Sequence, residues 1–378
     1  MKKSVKHLIF LSLAAMSLLQ SCGSGSAAGS ASEEGEVIEN SRLLSIRDND
    51  GYSVVTITNP WDSLGSKNVI YLVDRDIEKA PEIPQGATRI NVPVESTVLF
   101  SSTHASLLAE LGKAGIIKGV CDKEYMLDPT VRKMIQEGKI TDCGNTSSPN
   151  IEKLIKLKPE AVVLYGFESG TAPQQIARTG VPVIEAMEYM ETTSLAECEW
   201  IKLYGRLVGK AKEADSIYAG VAKRYRELSA KTKSAKNRPK VIFDRIYGQS
   251  WNVPTSGSIT GNMILDAGGE NVFAEYSEHG SAQLSPEEVL LKGGDADIWM
   301  IRFYQEQPLT LSQLKKENDI YPLFKAFKTG NVYGANTLTG RVFEDGTFHP
   351  DLVLADYISV FHPELGVKPS RRYYEKVK

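Results

Sequence analysis

The sequence predicts an α/β fold of two three-layer lobes with mainly parallel sheets, joined by a long backbone helix and preceded by a β-hairpin extension. Three observations predict it. Short apolar strands alternate with helices from residue 97 to residue 184, which is typical of parallel sheets covered by helices on both faces. A helical stretch without proline then occupies residues 210–233, and the alternation begins again at residue 241.

Residues 1–21 have the parts of a secretory signal peptide. Lysines open the segment, residues 8–19 are apolar but too short to span a bilayer, and small residues precede Cys22. A cysteine at the cleavage position resembles the lipobox of bacterial lipoproteins, which implies that Cys22 is lipidated and becomes the new amino terminus. An ordinary signal peptide with an incidental cysteine is the alternative. Residues 22–40, rich in Gly, Ser, Ala and Glu, are predicted to form a flexible tether.

The first lobe is predicted to occupy residues 41–192 and to begin with the extension. Residues 53–58 and 69–73 are β-branched or aromatic runs, and Asn49-Asp50-Gly51 precedes the first as a turn signal. We expect a small antiparallel hairpin there, to which the sequence assigns no task. The remaining elements are predicted as strands at 98–100, 116–120, 139–142, 161–165 and 181–184, and helices at 103–111, 128–137, 150–157 and 171–179.

Two helical patterns are predicted to link the lobes over residues 193–236. Ser194 is a suitable N-cap for the first, which is expected to end near Gly209. The second, residues 210–233, is roughly 35 Å long at about 1.5 Å per residue. The second lobe, residues 237–378, is predicted to contain strands at 241–243, 298–302 and 331–333 and helices at 259–267, 286–292 and 350–361.

The net charge limits the possible partners of the chain, and the cysteine content limits its possible disulfides. Removal of residues 1–21 takes away three lysines and no acid, so the formal charge changes from -3 to -6, which argues against nucleic acid as a partner. Cys121, Cys143 and Cys198 then remain. A disulfide between Cys121 and Cys143 and two unpaired buried thiols are both compatible with their positions.

Several segments, in this order, resemble the periplasmic binding protein family for siderophores, haem and vitamin B12. The resemblance covers roughly residues 96–362. The matching segments are Ser102-Thr103-His104-Ala105, Ile117-Lys118-Gly119-Val120, Asn150-Ile151-Glu152-Lys153-Leu154, Leu157-Lys158-Pro159-Glu160-Ala161, Gly261-Asn262-Met263-Ile264-Leu265-Asp266-Ala267-Gly268-Gly269 and Leu284-Ser285-Pro286-Glu287-Glu288-Val289.

The resemblance implies a partner and its contact residues. In this family one exposed glutamate on each lobe pairs with arginines of the permease dimer of an ABC importer, and Glu152 and Glu287 match those positions. Glu288 is the neighbour with which Glu287 is most easily confused. The alternative is structural, because an acid in the first turn of a helix complements the helix dipole whatever its function.

Candidate ligand-binding residues follow the predicted strands, where the loops of an α/β cleft converge. Arginine forks suit carboxylates and catecholate-like oxygens, and aromatic faces suit flat macrocycles. The competing interpretations are core packing for each aromatic residue and an ion pair for each arginine. His104, at the start of the first helix, could approach a metal centre or cap the helix. The candidates are His104, Tyr165, Phe167, Arg245, Tyr247, Trp251, Arg302, Tyr304 and Arg341, with Phe343 beside the last in a Gly-rich loop.

These observations predict a non-enzymatic substrate-binding lipoprotein of an ABC importer. It is expected in the bacterial cell envelope, anchored by lipid and facing the periplasm, with a ferric siderophore, haem or a corrinoid as ligand and no cofactor or bound metal of its own. Enzyme motifs such as Gly-x-Ser-x-Gly or a Walker loop are missing from the sequence. A zinc or manganese binder, which requires several converging His and carboxylate ligands, and a surface lipoprotein without a small ligand are the alternatives.

Overall fold

The computed structural model describes residues 35–62, 64–166 and 172–378. The predicted signal peptide, Cys22 and Phe167 lie outside these residues. Within the described part of the chain, no helix is long and apolar enough to cross a membrane.

The extension is a four-stranded sheet rather than the two-stranded hairpin that the sequence predicts. Its strands are β1 (Leu44–Asn49), β2 (Tyr52–Thr58), β3 (Lys67–Asp74) and β4 (Thr88–Val92). Strands β1, β2 and β3 pair antiparallel, and β4 is added parallel to β3. The predicted turn at Gly51 is present, because Asn49 pairs with Tyr52 and Gly51 has a φ of +74°, which glycine adopts without strain.

The N-terminal lobe, residues 97–192, has a parallel five-stranded sheet in the order β11-β10-β5-β6-β7. Its strands are β5 (Thr97–Leu99), β6 (Ile117–Val120), β7 (Thr141–Asp142), β10 (Ala161–Tyr165) and β11 (Val183–Ala186), with the small hairpin β8 (Gly144–Asn145) and β9 (Ser148–Pro149). Its helices are α1 (Ser102–Glu110), α2 (Pro129–Gln136), α3 (Ile151–Leu157) and α4 (Ala172–Ala177). The predicted alternation of strands and helices is confirmed.

The first of the two predicted linking helices differs from the prediction. It consists of two helices, α5 (Ser194–Cys198) and α6 (Ile201–Leu207). The N-cap of α5 is Thr193 instead of Ser194, and the Thr193 hydroxyl accepts a hydrogen bond from the backbone N–H of Ala196. The second is α7 (Ala211–Thr232). Tyr218 and Val221 of α7 belong to the core of the N-terminal lobe, whereas Tyr225 belongs to a core of the C-terminal lobe. One helix therefore packs into both lobes.

The C-terminal lobe, residues 237–378, has a second five-stranded sheet in the order β15-β12-β17-β18-β19. The sheet is parallel except for β19, and a separate antiparallel sheet β13-β14-β16, which the sequence did not predict, packs beside it. The strands are β12 (Lys240–Phe243), β13 (Ile246–Tyr247), β14 (Ser250–Pro254), β15 (Glu270–Asn271), β16 (Ser281–Leu284), β17 (Ile298–Phe303), β18 (Val332–Asn336) and β19 (Glu375–Lys376). The helices are α8 (Ile259–Asp266), α9 (Pro286–Gly293), α10 (Leu311–Glu317), α11 (Lys325–Lys328), α12 (Val342–Phe348) and α13 (Pro350–Phe361).

The end of the predicted tether is bound to the folded body. Glu36 forms a β-bridge with Arg47, and the Glu199 carboxylate accepts the N–H groups of Glu39 and Asn40 at 2.9 and 2.6 Å. The prediction of a flexible tether extending to residue 40 is therefore wrong for residues 36–40. The polar composition gave no sign that the backbone of this segment, rather than its side chains, makes the contacts.

Cys121, Cys143 and Cys198 are buried and unpaired. The Cys121 thiol lies 3.8 Å from the backbone oxygen of Cys143. Of the two alternatives that the sequence leaves open, the structure shows unpaired thiols.

Candidate functional site

The carboxyl ends of strands from both lobes meet at one cleft. Ser102 and Tyr125 follow β5 and β6 in the N-terminal lobe, and Asp244 and Tyr304 follow β12 and β17 in the C-terminal lobe. Parallel α/β sheets present their binding loops at this edge. Two neighbouring cavities lie there and share Phe343 as a common wall.

The main cavity has a volume of about 360 Å³, near the lower end of the size range of small-molecule sites. Tyr189, Glu191 and Glu197 contribute from the N-terminal lobe and α5, and the remaining wall belongs to the C-terminal lobe. The polar and aromatic residues of that remaining wall include Asp244, Asn252, Ser258, His279, Arg302, Phe343, Thr347, Tyr357 and Tyr374.

Arg302 lines the main cavity as the sequence predicts, but its charge is already paired. Its Nε lies 3.0 Å from Asp244 Oδ1, and its second terminal nitrogen binds Asp244 Oδ2. Asp244 adopts a left-handed backbone conformation with a φ of +57° directly after β12, which turns its carboxylate toward β17. The guanidinium also lies 5.7 Å from the ring centre of Phe343. The cavity wall therefore presents a neutral, fork-shaped ion pair instead of an open cation.

Two carboxylates, Glu191 and Glu197, also line the main cavity. Glu191 accepts hydrogen bonds from the Ser41 hydroxyl, from two backbone N–H groups and from Trp200 Nε1 at 3.1 Å. Glu197 is 9% exposed and accepts from the Thr347 hydroxyl at 3.1 Å. Burial, with Glu188 as a nearby like charge, raises the pKa of Glu197 to about 8. The carboxyl group is therefore mostly protonated near neutral pH and can donate as well as accept a hydrogen bond.

The second cavity, about 270 Å³, lies between the lobes and is called the aromatic cavity below. Tyr125 from the N-terminal lobe and Tyr304 and Phe343 from the C-terminal lobe line it, and they are 51%, 51% and 52% exposed. The rings of Tyr125 and Tyr304 meet edge to face, with 5.8 Å between centroids. Exposed aromatic residues that converge across a cleft are typical of ligand sites rather than of a core.

Arg341 lines the aromatic cavity, in agreement with its predicted position, and lies in the loop directly before helix α12, whereas Phe343 lies inside that helix and not in the predicted loop. Its guanidinium crosses between the lobes. It binds the Ser106 hydroxyl and lies 3.5 Å from Asp128 on one side and 2.8 Å from Glu344 on the other. Glu344 in turn accepts the N–H of Leu127 at 2.8 Å. Arg341 therefore joins the two lobes beside the cavity.

His104 and Tyr165 lie behind the cavity wall and do not line either cavity. The His104 side chain is fully buried, bonds to Glu188 and packs between the rings of Tyr165 and Tyr204, each with a centroid 5.0 Å away. Tyr165 bonds Ser101 at 2.8 Å and packs against Tyr189, which does line the main cavity. The prediction that His104 faces the cleft is wrong, because α1 turns its side chain into the lobe.

Three further predicted residues lie away from both cavities. Arg245 pairs with Glu317 at 2.6 Å, and Tyr247 is 83% exposed at the tip of the β13–β14 hairpin. Trp251 is fully buried, donates to the Phe243 carbonyl at 2.8 Å and packs on Trp299. The prediction for Trp251 is wrong because the chain after β12 forms a hairpin that returns its side chain to the core.

Sequence analysis did not identify the cavity carboxylates Glu191 and Glu197. The candidates were chosen because they follow predicted strands, and this rule selected neither glutamate. Tyr125 could have been chosen in this way, since it follows β6 by five residues. Among the described residues, no group of three or more His, Cys, Asp or Glu side chains is placed to hold a metal ion.

Glu152 and Glu287 are both exposed, each in the first turn of a helix. Helices α3 and α9 precede the parallel strands β10 and β17, so their first turns lie toward the carboxyl edges of the two sheets. Glu288 is half-buried and accepts from the Tyr276 hydroxyl at 2.6 Å, which distinguishes it from Glu287.

Comparison with known proteins agrees with this geometry. Residues 98–337 match the family model described as "Periplasmic binding protein". An uncharacterised lipoprotein of Methanocaldococcus jannaschii is 29% identical over 339 residues, which cover 87% of this chain and 83% of that protein. The Fe(3+)-citrate-binding protein of Bacillus subtilis is 23% identical over 68% of this chain and 78% of its own length.

A solved structure supports the fold. The periplasmic heme binding protein of Pseudomonas aeruginosa superimposes with a TM-score of 0.59 at 16% identity, covering 75% of this chain and 98% of that one. At this level of identity the comparison concerns architecture alone.

Proposed function

Because the chain belongs to the periplasmic binding protein family, we propose that it captures a metal chelate between its two lobes and delivers it to the permease dimer of an ABC importer. The observation that carries this proposal is the pair of cavities at the carboxyl edges of both sheets, walled by aromatic side chains from the two lobes. A ligand held there contacts both lobes at once.

The aromatic residues supply most of the expected binding energy. Tyr125, Tyr304 and Phe343 are about half exposed, so a flat or macrocyclic ligand would bury ring surface that now faces water. Such contacts are favourable through area burial and ring stacking. The polar groups beside them, chiefly the Arg302–Asp244 pair and Glu197, would orient the ligand rather than supply bulk affinity.

An iron chelate is the proposed ligand, as a ferric siderophore or haem, with a corrinoid as the further candidate. Support comes from the relatives, one named for ferric citrate and one for heme. No resident cofactor is proposed.

Glu152 and Glu287 are the proposed contacts with the importer. One exposed carboxylate on each lobe allows the permease to sense both lobes together, and charge pairs of this kind govern encounter and register more than affinity. Their exposure and their placement near the cleft side of each lobe support this role.

Lipid anchoring through Cys22 completes the proposal. The lipobox-like sequence before Cys22 supports it, as does the lipoprotein name of one relative. Two or more acyl chains would hold the protein stably at the membrane surface, outside the cytoplasm and beside the importer.

Removal of the two exposed C-lobe rings tests ligand capture. Tyr304→Ala with Phe343→Ala should weaken chelate binding about tenfold to hundredfold, because two stacking rings contribute about 1–3 kcal/mol together. Titration of ferrichrome, cyanocobalamin and haem, followed by tryptophan fluorescence, measures this. Tyr247→Ala is the matched control, since its ring is exposed but remote from both cavities. Unchanged affinity in the double variant, or tight zinc binding with no response to any chelate, would contradict the proposal.

A further inference from the structure

The charges around the two cavities do not balance. Four carboxylates line them among the described residues, Glu191, Glu197, Asp244 and Glu344, against two arginines, Arg302 and Arg341. No lysine is present in either lining. His279 also lines the main cavity, and its Nε2 bonds the backbone oxygen of Met190.

Neither arginine is available to an anionic ligand without breaking an existing pair. Asp244 occupies both the Nε and a terminal nitrogen of Arg302. Arg341 is held by Glu344 at 2.8 Å, by Asp128 at 3.5 Å and by Asp345 at 3.7 Å, so three carboxylates already surround it. Removing one partner from a half-buried pair leaves the other charge uncompensated, which is strongly unfavourable.

The two remaining carboxylates have only neutral donors. Glu191 is bound by a hydroxyl, backbone N–H groups and an indole, and Glu197 by the hydroxyl of Thr347. Neither forms an ion pair with a lysine, arginine or histidine of the described chain. Since both are largely withdrawn from water, their repulsion of a second anion is screened less than at a surface.

Resting on the proposed function, we infer that the cavities select a chelate with no net negative charge. A ferric tris-hydroxamate fits, because three monoanionic groups balance the ferric charge, and so does a neutral corrinoid. Within the proposed class of chelates, this ranks ferric citrate, ferric catecholates and haem with its two propionates below the uncharged members, so the names of the relatives support chelate capture and not the charge of the ligand. Glu197 is the residue that strengthens this preference once it is ionised, since it lines the main cavity without a cationic partner. The expectation from sequence that arginine forks suit carboxylates and catecholate-like oxygens took no account of the acids that already pair with these arginines.

A panel of six chelates tests the charge preference. Ferrichrome, ferrioxamine B and cyanocobalamin represent the neutral or cationic class, and ferric citrate, ferric enterobactin and haem the anionic class. At neutral pH we expect at least one member of the first class to bind at least about tenfold more tightly than every member of the second. Tightest binding by an anionic chelate would overturn the charge preference while leaving chelate capture intact. A complete lack of response would overturn the proposed function as well.

Comparison of the wild type with Glu197→Gln tests whether Glu197 contributes to the preference for uncharged chelates. At about pH 9, one unit above the pKa near 8 of Glu197, the wild-type side chain is mostly ionised and the variant is neutral. The ratio of haem to ferrichrome dissociation constants should fall about fivefold to tenfold in the variant, because one repelling charge is removed. Glu270→Gln, an exposed acid outside both cavities, should leave the ratio unchanged. An equal ratio in wild type and Glu197→Gln would show that Glu197 does not determine charge selectivity.

Discussion

At the wall of the main cavity, Glu197 is a carboxyl group held in conditions that favour its neutral form. Burial is the largest cause of its raised pKa, and Glu188 and Glu191 add like charges. The Thr347 hydroxyl opposes them by stabilising the ionised form. The unperturbed value is 4.5 and the folded value about 8, so the folded state binds more protons than the unfolded state between these pH values.

The stability of the wild-type protein should therefore depend on pH through Glu197. Because the folded state holds the extra proton, this contribution is greatest at low pH and is lost as pH rises from about 4.5 through 8. Relative to Glu197→Gln, the wild type should lose on the order of a few kcal/mol over that interval. Urea unfolding at several pH values measures it, with the exposed Glu227→Gln as a control that should keep the wild-type slope. Parallel curves for wild type and Glu197→Gln would contradict the assignment.

A cavity residue could be predicted from sequence only where it directly follows a strand that ends at the cleft. Arg302 and Tyr304 were found because β17 runs straight to the carboxyl edge of the sheet. The same rule failed for Tyr247 and Trp251, because β13 and β14 form a hairpin that redirects the chain. Ion pairing is a second limit, since Asp244 and Arg302 lie 58 residues apart in sequence.

Helices and strands with strong local signals were predictable almost to the residue. Helix α13 coincides with the predicted range because His349-Pro350 and His362-Pro363 bound it. Helix α9 begins at the predicted Pro286 after the Ser285 cap. The short strands β13, β14 and β16 were missed, since each depends on pairing across a distance that the local pattern does not encode.

Glu199 is a main contact between the N-terminal segment and the helices that link the lobes, beside Glu191, which binds Ser41 and the following backbone. Glu199 accepts the N–H groups of Glu39, Asn40 and Ser41 and pairs with Lys202 at 2.8 Å, and both charged groups are buried. The segment that leads back toward the proposed lipid anchor is thus fixed to the helices between the lobes.

Glu199→Ala should destabilise the fold by about 3–5 kcal/mol, because it leaves the Lys202 ammonium buried without its acid. Hydrogen exchange should also become faster at residues 39–41, whose N–H groups lose their acceptor. Chemical unfolding and exchange mass spectrometry measure the two effects. In the matched control, Glu213→Ala removes an exposed ion pair with Lys210 and should change stability by at most about 1 kcal/mol. A similar small change for Glu199→Ala would show that the segment is held by other contacts.

For the whole molecule, the order of family-like segments predicted the two lobes and the long helix between them. Helix α7 has Tyr218 in one core and Tyr225 in the other, and it contains no proline at which it could bend sharply. Large hinge motion between the lobes is therefore disfavoured. The four-stranded form of the extension was beyond prediction, because β1 and β4 alternate apolar and polar residues over only a few positions and their pairing with β2 and β3 is set across the sheet.

Delivery to an importer is the central claim for the molecule as a whole, and uptake of the bound chelate tests it most directly. Cells that carry the importer and depend on this protein should lose most uptake of the radiolabelled chelate when Glu152 and Glu287 are both changed to alanine. Binding of the same chelate by the purified variant should be unchanged, and its stability should fall by no more than about 1 kcal/mol per site, the contribution of a first-turn acid. Uptake at the wild-type level in the double variant would contradict the docking role, and undiminished uptake in cells lacking the protein would contradict the account itself.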